Sequence, residues 1–463
     1  MGWEPAMLFI LGGMGLLLLP GLPRKQIPLT GFIALSFTAG IYLLTLLLML
    51  VALLTGRFFF SLIWLLLVAG LAAIILRWNS IKQNLKVSLP ATSPVQTGSM
   101  FPNILLFLLI LAQGMMVFRL ATLYPFVGFD AIGNYAMKAK MWYHTGLLFP
   151  PHLLDPEFIM FHRRYPPAIP LSEAAWSVIL GGWSEIKIKY FFLFCWLFSG
   201  CLLYTHLRRK NSSLIAWLGL SFYFLLPYHI MEIQGGPTDA YPEIPFIMAL
   251  LSAFILVKQF ATKPNLASAA IMALFVAGTM LLKKEGLFFV ILIIIYMLWI
   301  KAPSLNIFLI FISSALCYLM IVLSNLDIQS VLHERYVAVN LTPQLFVERI
   351  GILARFLVSE FFYKERWGNY FWYVFVLIWI YKSFILRWRE LFTVDLFFCL
   401  GMGIFYLILL LNTHLDFYTH LDTTLHRLFL HIYPLFIIAT FNNLLISKAQ
   451  GLAPDSKVIP QTT

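Results

Sequence analysis

Residues 29–54 read LTGFIALSFTAGIYLLTLLLMLVALL, an apolar run that contains no charged side chain. A helix that crosses the hydrocarbon core of a bilayer needs about 20 such residues in succession. Inside lipid, every backbone amide and carbonyl must find its hydrogen bond within the protein, and a helix lets a single segment achieve this. The run therefore predicts a transmembrane α-helix.

The rest of the chain has the same character. Of its 463 residues, 61% are hydrophobic and only 11% are charged, and the mean hydropathy is +0.87. A soluble domain carries about 25% charged residues, and no soluble fold of this length has enough interior to bury so much apolar surface. The apolar runs are continuous, whereas the strands of an outer-membrane barrel alternate over about ten residues. These features predict an all-α polytopic membrane protein.

About 13 segments are apolar enough to be predicted as membrane spans. The first has no basic region before it and no evident cleavage site, so we interpret it as a retained span and not as a signal peptide. The predicted spans are Ala6–Pro20, Leu29–Leu54, Phe58–Leu76, Ile104–Thr122, Ile186–Leu207, Leu214–Ile230, Ile244–Val257, Ala267–Leu282, Leu287–Ile300, Ile307–Leu323, Tyr370–Leu386, Leu391–Leu411 and Leu428–Ile446.

Basic residues orient these spans, because Lys and Arg collect in cytoplasmic loops. Every basic cluster on one set of alternate connections agrees with an N-terminus outside and a C-terminus inside. The agreement requires that residues 168–181 (AIPLSEAAWSVILG) do not cross. This segment is short and carries Glu173, so we place it on the outer surface, lying along the membrane or dipping into it. The basic clusters are Arg24/Lys25, Arg77/Lys82/Lys86, Arg208/Arg209/Lys210, Lys258/Lys263, Lys301, Arg387/Arg389 and Lys448.

The formal net charge of +12 reflects these cytoplasmic loops and not a nucleic-acid partner. The four cysteines lie in apolar segments without CxxC spacing, which argues against disulfide and metal roles. No HExxH, P-loop or GxSxG motif is present, and the histidines lack metal-ligand spacing. A metal site is therefore not expected.

Most of the unusual polar residues fall in connections predicted to face outward. The longest connection contains Asp130, followed by residues 131–143 (AIGNYAMKAKMWY). Their apolar stripe, flanked by Lys138 and Lys140, predicts an amphipathic helix in the membrane interface whose lysine heads reach lipid phosphates. At the start of this helix Asp130 can be an N-cap, a general base or both.

Further outward residues are candidates for binding an anion. Arg163 and Arg164 oppose the charge rule, and their guanidinium groups suit either lipid headgroups or a substrate phosphate. Asp239 precedes a predicted helix and is expected to face the outer cavity. Glu243 falls in the first turn of that helix, where the macrodipole favours it, and we interpret it as mainly structural.

Two more outward sites carry charge. Lys283, Lys284 and Glu285 form a tight turn between two spans, where charges usually line a cavity or snorkel. His426 and Arg427 open the last predicted span. His426 alone is more typical of a satisfied polar group inside a helix bundle.

The order of these motifs resembles that of the polyprenyl-phosphate-dependent membrane glycosyltransferases with the GT-C fold, in the branch with protein O-mannosyltransferases and aminoarabinose transferases. The resemblance covers roughly residues 104–446. One departure is that Asp130 is followed by Ala131, where many relatives carry a second acid. The motifs are Gly128-Phe-Asp130, the basic interfacial helix, Tyr165-Pro-Pro-Ala-Ile-Pro170, Thr238-Asp239, Lys283-Lys-Glu-Gly286 and His426-Arg-Leu-Phe-Leu-His-Ile-Tyr-Pro434.

The resemblance implies transfer of a sugar from a polyprenyl-phosphate donor to an acceptor, with inversion and without a cofactor. Asp130 would be the base, with Asp239 as a second catalytic acid. Cations would bind the leaving phosphate, and polar residues would line the acceptor cavity. The expected phosphate ligands are Arg163, Arg164, Lys283, Lys284 and Arg427, and the expected cavity residues are Lys138, Glu285 and His426.

The sequence also suggests how the chain is organised. Residues 1–102 form a three-span extension with a cytoplasmic linker, residues 103–447 a GT-C-like catalytic membrane domain, and residues 448–463 a short cytoplasmic tail. Short loops favour a bacterial inner membrane with the active site facing outward. The alternatives are a transporter or a lipid-linked sugar flippase, which should carry charges in the middle of spans as Asp395 does, and a non-catalytic scaffold.

Overall fold

A computed structural model shows a bundle of α-helices. It describes residues 2–18, 27–78, 100–128, 130–151, 165–209, 211–230, 235–263, 265–324, 342–368, 371–386, 391–413 and 416–442. In these ranges there is no β-strand, and extended pairing is limited to an isolated bridge between Arg57 and Leu147. The predicted all-helical class is therefore confirmed.

The helices follow one another through short connections. A π-helical turn, Ala131–Ala136, leads directly into α5, and 3-10 turns cover Pro227–His229 and Glu365–Trp367. The α-helices are α1 (Glu4–Leu17), α2 (Leu29–Thr55), α3 (Leu62–Leu76), α4 (Met100–Leu123), α5 (Met137–Thr145), α6 (Ala168–Ile179), α7 (Glu185–Arg208), α8 (Ser213–Phe224), α9 (Glu243–Phe260), α10 (Leu266–Leu282), α11 (Gly286–Trp299), α12 (Ser304–Leu323), α13 (Pro343–Tyr363), α14 (Phe371–Ile385), α15 (Val394–Leu411) and α16 (Phe417–Phe441).

Each predicted span overlaps one of these helices, although α16 begins at Phe417, eleven residues before the predicted span Leu428–Ile446. Seven helices are long and apolar enough to cross a membrane, namely α2, α4, α7, α9, α12, α15 and α16. The other predicted spans form helices of 10–17 residues, which reach at most about 26 Å at 1.5 Å per residue. The protein is thus a multi-pass helical membrane protein, while the figure of about 13 crossings stays a prediction.

The first three helices pack through glycines. A Cβ atom on Gly13 would lie 1.8 Å from the carbonyl oxygen of Ser36, and one on Gly40 would lie 2.1 Å from that of Phe9. Small residues let membrane helices approach to backbone contact, where van der Waals packing replaces the hydrophobic driving force. Helices α1 and α2 are held together in this way.

Helix α2 also packs into the rest of the bundle. The hydroxyls of Thr38 and Ser252 are 3.0 Å apart and buried, and the Tyr42 ring fills the space that a side chain at Gly278 would need. The N-terminal extension therefore shares its core with α9 and α10. The proposed domain boundary near residue 102 stays a prediction from sequence.

Helix α6 differs from expectation. Its residues from Ala168 to Ser177 are all buried, so the expected contact with lipid along its length is wrong. The helix has 12 residues and spans about 18 Å, less than a bilayer core of about 30 Å; α8, which is predicted to cross, has the same length. Tyr165 before it and Glu185 after it both lie near the loop that precedes Asp130, as expected for a segment that does not cross.

Helix α13 was missed by the sequence analysis. It lies in the connection after α12, and Arg349 anchors it by donating to the Leu411 and Thr413 carbonyls at the end of α15. Its apolar residues follow an amphipathic pattern instead of one unbroken run, so they give a weaker signal than a span does.

Polar contacts gather at the two ends of the bundle. Glu243 begins α9, and Lys258 near its other end forms an ion pair with Asp395. Glu243 and Lys258 are 15 positions apart in the helix, which corresponds to about 22 Å. Asn442, just after α16, donates to the same Asp395 carboxylate at 2.7 Å. Asp395 therefore lies at the end of the bundle opposite Glu243. The end of α9, the start of α15 and the end of α16 meet there, in agreement with the predicted alternation of the spans.

The orientation can be tested by cysteine labelling of intact cells in a variant lacking the four native cysteines. We expect a cysteine at Ser213, at the start of α8, to be protected from an impermeant maleimide, because that connection is predicted to be cytoplasmic. A cysteine at Ser330, which lies outside the described residues, should react. Labelling of the residue 213 cysteine from outside would contradict the N-out topology.

Candidate functional site

Asp130 lies at the centre of a cluster of polar side chains from the connections that are predicted to face outward. Its Oδ2 accepts a hydrogen bond from Arg427 Nη1 at 2.6 Å, and its Oδ1 accepts one from Asn134 Nδ2 at 2.8 Å. The residue has helical backbone angles and its carboxylate makes no capping bond. The N-cap interpretation is therefore wrong, and the carboxylate is instead held by two side chains while 20% of it stays exposed.

The π-helical turn after Asp130 shapes this arrangement. Its hydrogen bonds skip one extra residue, as in the bond from the Met137 amide to the Ile132 carbonyl. Such turns often occur at functional sites. Asn134 and Lys138 follow Asp130 at intervals of four, so the three side chains share one face. Both Asn134 and Lys138 are buried.

Arg427 joins the loop to the membrane helices. Besides its bond to Asp130, it donates from Nε to Glu243 Oε1 at 2.8 Å, and its Nη2 lies 2.8 Å from the same oxygen. Its guanidinium carbon lies 4.8 Å from the centre of the Tyr241 ring. One side chain of α16 thus holds two carboxylates and stacks on an aromatic ring, the geometry for which a planar guanidinium is suited.

Tyr241 fixes the position of the loop. Its hydroxyl oxygen accepts from the Asp130 amide at 3.4 Å, and its ring occupies the place of any side chain at residue 128, since a Cβ on Gly128 would lie 2.0 Å from it. Burial, together with the nearby Asp130 carboxylate, raises the pKa of Tyr241, so the hydroxyl stays neutral. Gly128 is needed here for close approach.

Glu243 and Lys283 form the buried base of the cluster. Lys283 Nζ is 2.9 Å from Glu243 Oε1, 3.3 Å from Glu285 Oε1 and 3.2 Å from His431 Nε2. A lysine ammonium has three N–H donors, and three acceptors surround this one. All three donors are thus directed at protein atoms, and none remains for the phosphate that Lys283 was predicted to bind. Glu243, which we interpreted from sequence as mainly structural, belongs to this cluster.

Lys284 and Lys138 both lie near Tyr165. Lys284 is exposed, and its Nζ is 6.0 Å from the Tyr165 ring centre. Lys138 donates to the Tyr165 carbonyl at 3.1 Å and lies 4.9 Å from the Trp142 ring centre. Burial and the Lys284 charge lower the pKa of Lys138 to about 7. The expectation that Lys138 snorkels to lipid is therefore wrong, whereas Lys140 is exposed.

Some buried polar atoms near this cluster have no hydrogen-bond partner within the described residues. They are Glu243 Oε2, Thr238 Oγ1 and both ring nitrogens of His426, all in side chains at most 5% exposed. The His426 ring lies 5.8 Å from the Tyr228 ring. Because unpaired buried polar atoms are costly, these atoms are the ones that a polar ligand would satisfy.

Of the remaining predicted site residues, two lie within the described ranges and two lie outside them. Asp239 is buried, two residues before Tyr241, and Glu285 contacts Lys283. Arg163 and Arg164 lie outside the described residues. Within the described ranges no group of His, Cys, Asp and Glu is arranged to hold a metal ion.

Residues from four predicted outward connections thus meet in one place: Asp130, Glu243, Lys283 and Arg427. Sequence reasoning missed Tyr241, His431 and Tyr406 as members of the site. Comparisons of the chain with protein-family models, with curated proteins and with solved structures give no match.

Proposed function

We propose that the protein is a membrane glycosyltransferase that moves a sugar from a polyprenyl-phosphate donor to an acceptor hydroxyl on the outer face. The observation that carries the proposal is the Asp130 carboxylate, partly exposed and held in place by Arg427 and Asn134 at one end of a membrane bundle. A general base needs this combination of access and fixed orientation.

The proposed step is an inverting displacement. Asp130 takes the proton from the acceptor hydroxyl as the acceptor oxygen bonds to the anomeric carbon. The bond between that carbon and the phosphate oxygen breaks, and its electron pair leaves with the polyprenyl phosphate. An ionised carboxylate has about four lone-pair sites, and the two hydrogen bonds to Asp130 leave room for the incoming proton.

Cations near the base support binding of the phosphate. Arg427 has five N–H donors, and three are directed at Glu243 and Asp130, so two remain for phosphate oxygens. Lys284 is exposed next to Tyr165. We assign the phosphate to Arg427 and Lys284, with Arg163 and Arg164 as further candidates, and we withdraw Lys283 because its donors are used.

The sugar would bind next to the buried polar atoms that have no partner among the described residues. Glu243 Oε2 can accept a hydrogen bond, while Thr238 and a neutral His426 can each donate and accept. Sugar hydroxyls offer both functions. This gives His426 the cavity role expected for it and adds Thr238 and Glu243.

The transporter or flippase alternative has less support. Alternating access would require helices to shift around a central site, yet α9 carries paired polar residues at both ends, Glu243 with Arg427 and Lys258 with Asp395. Helix α16 takes part in both groups, through Arg427 within the helix and through Asn442 just after it. Asp395, the residue that favoured this alternative, is part of the second group.

The direct test uses the purified protein in lipid nanodiscs. Synthetic short-chain polyprenyl-phosphate donors carrying hexoses or pentoses are supplied with an outer-membrane lipid, glycan or peptide acceptor. We expect release of polyprenyl phosphate and a product of inverted anomeric configuration, detected by mass spectrometry and NMR. Movement of labelled donor across vesicles that hold the protein, with no release of polyprenyl phosphate from any donor, would contradict the proposal in favour of a flippase.

A further inference from the structure

The Asp130–Arg427–Glu243 group continues inward as a chain of hydrogen bonds. Lys283 links Glu243 to His431, and His431 Nδ1 lies 3.0 Å from the Tyr406 hydroxyl. Building on the proposed function, we infer that His431 and Tyr406 are positioning residues, which hold Lys283 and through it the Glu243–Arg427–Asp130 unit.

The partners define the hydrogen-bond directions. The Lys283 ammonium has only donors, so His431 Nε2 must accept from it. A neutral imidazole then carries its proton on Nδ1 and donates to the Tyr406 oxygen. Donation thus runs from Lys283, in the turn between α10 and α11, through His431 on α16 to Tyr406 on α15.

The side chains in this chain of hydrogen bonds fall into two groups that differ in solvent exposure. The Asp130 and Arg427 side chains are 20% and 14% exposed, whereas Lys283, His431 and Tyr406 are at most 4% exposed and have their polar atoms paired within the protein. The second group cannot reach a substrate without breaking its own contacts. Its effect on the reaction must therefore pass through the position of Arg427 and Asp130.

The Oε1 atom of Glu243 couples the position of Lys283 to that of Arg427. It accepts from Lys283 Nζ and from Arg427 Nε, and it contacts Arg427 Nη2. If His431 no longer holds Lys283, the ammonium is free to turn toward Glu285, which lies 3.3 Å away. Glu243 and Arg427 would then lose their fixed geometry, and Asp130 with them.

The neighbouring lysines therefore differ in role. Lys283 is buried and uses its donors within the protein, while Lys284 is exposed beside Tyr165. A change at Lys284 should raise KM for the donor, whereas changes in the chain behind Lys283 should lower kcat.

The test compares His431→Leu, His431→Gln and Tyr406→Phe in the full-length protein. Tyr42→Phe is the matched control, because the buried Tyr42 hydroxyl has no hydrogen-bond partner among the described residues. Two properties are measured: kcat and KM with the synthetic donor, and the rate at which a carbodiimide couples an amine to Asp130. Asp395, paired at the other end of the bundle, is the internal control for global loosening.

We expect His431→Leu to lower kcat about tenfold and Tyr406→Phe about fivefold, with KM within about twofold of wild type. His431→Gln, which keeps an acceptor for Lys283, should recover most of the activity. Coupling at Asp130 should rise at least about threefold in His431→Leu while coupling at Asp395 stays constant.

The inference is overturned if His431→Leu behaves like Tyr42→Phe in both measurements. It is also overturned if Asp395 labelling rises together with Asp130 labelling, since that indicates a general structural role. If the wild-type protein transfers no sugar, the proposed function fails, yet the Asp130 labelling still decides whether His431 positions this carboxylate.

Discussion

Asp130→Asn is expected to abolish sugar transfer, lowering kcat by about 10³-fold, while the protein folds and inserts normally. General base catalysis contributes roughly 10²–10⁴ in rate, and an amide cannot accept the acceptor proton at neutral pH. The structure accommodates Asn well. Its oxygen can accept from Arg427, and its NH₂ can donate to the Asn134 oxygen once that amide flips.

The measurement is single-turnover transfer with the synthetic donor, alongside thermal unfolding in detergent. Asp422→Asn is the matched control, because Asp422 is 62% exposed and its contact with Lys364 is a loose 3.9 Å. It should leave both quantities unchanged. Near-normal turnover by Asp130→Asn would remove the base role and leave Asp130 as a structural partner of Arg427.

Arg427→Ala should lower transfer by about 10²–10³ and Arg427→Lys by a smaller factor. Loss of a charge-assisted contact to the leaving group in a site shielded from water costs roughly 2.7–4 kcal/mol of transition-state stabilisation. Alanine also leaves Asp130 without its cation and Glu243 with Lys283 alone. Lysine restores the charge, but a single nitrogen cannot bridge both carboxylates and still present two donors to a phosphate.

Donor binding and kcat are measured separately, together with the melting temperature. Because removing one partner from a buried ion pair costs about 3–5 kcal/mol, Arg427→Ala should also melt at a lower temperature. Arg355→Ala serves as the control, since Arg355 is exposed on α13. If Arg427→Lys transfers and binds as well as wild type, Arg427 contributes charge alone and the phosphate depends on Lys284, Arg163 or Arg164.

The helices were predictable because lipid imposes a strong and local rule on the chain. A run such as residues 29–54 has no alternative to a helix, and α2 follows it closely. Helix α6 showed the limit of this rule. Its apolar composition is the same whether it faces lipid or protein, so only the structure reveals that it is buried.

The site was partly predictable, since charged residues on one face of a membrane protein must serve some purpose there. The contact between Asp130 and Arg427 joins residues 297 positions apart, which no local pattern encodes. Glu243 was interpreted as mainly structural because it lies in a first helical turn, a pattern that does not encode its ion pairs with Lys283 and Arg427. Tyr406 lies in an unbroken apolar run, where sequence does not distinguish a hydrogen-bonding tyrosine from a packing one.

The contact between Gly128 and Tyr241 constrains how this protein can change over evolutionary time. A methyl group at residue 128 would overlap the Tyr241 ring, and that ring also contacts Arg427 and the Asp130 amide. A lineage could therefore acquire a side chain at residue 128 only after residue 241 had become smaller, and that first step would weaken the support of Asp130 and Arg427. Two positions far apart in the chain are thus expected to vary together or to remain unchanged among descendants of this sequence.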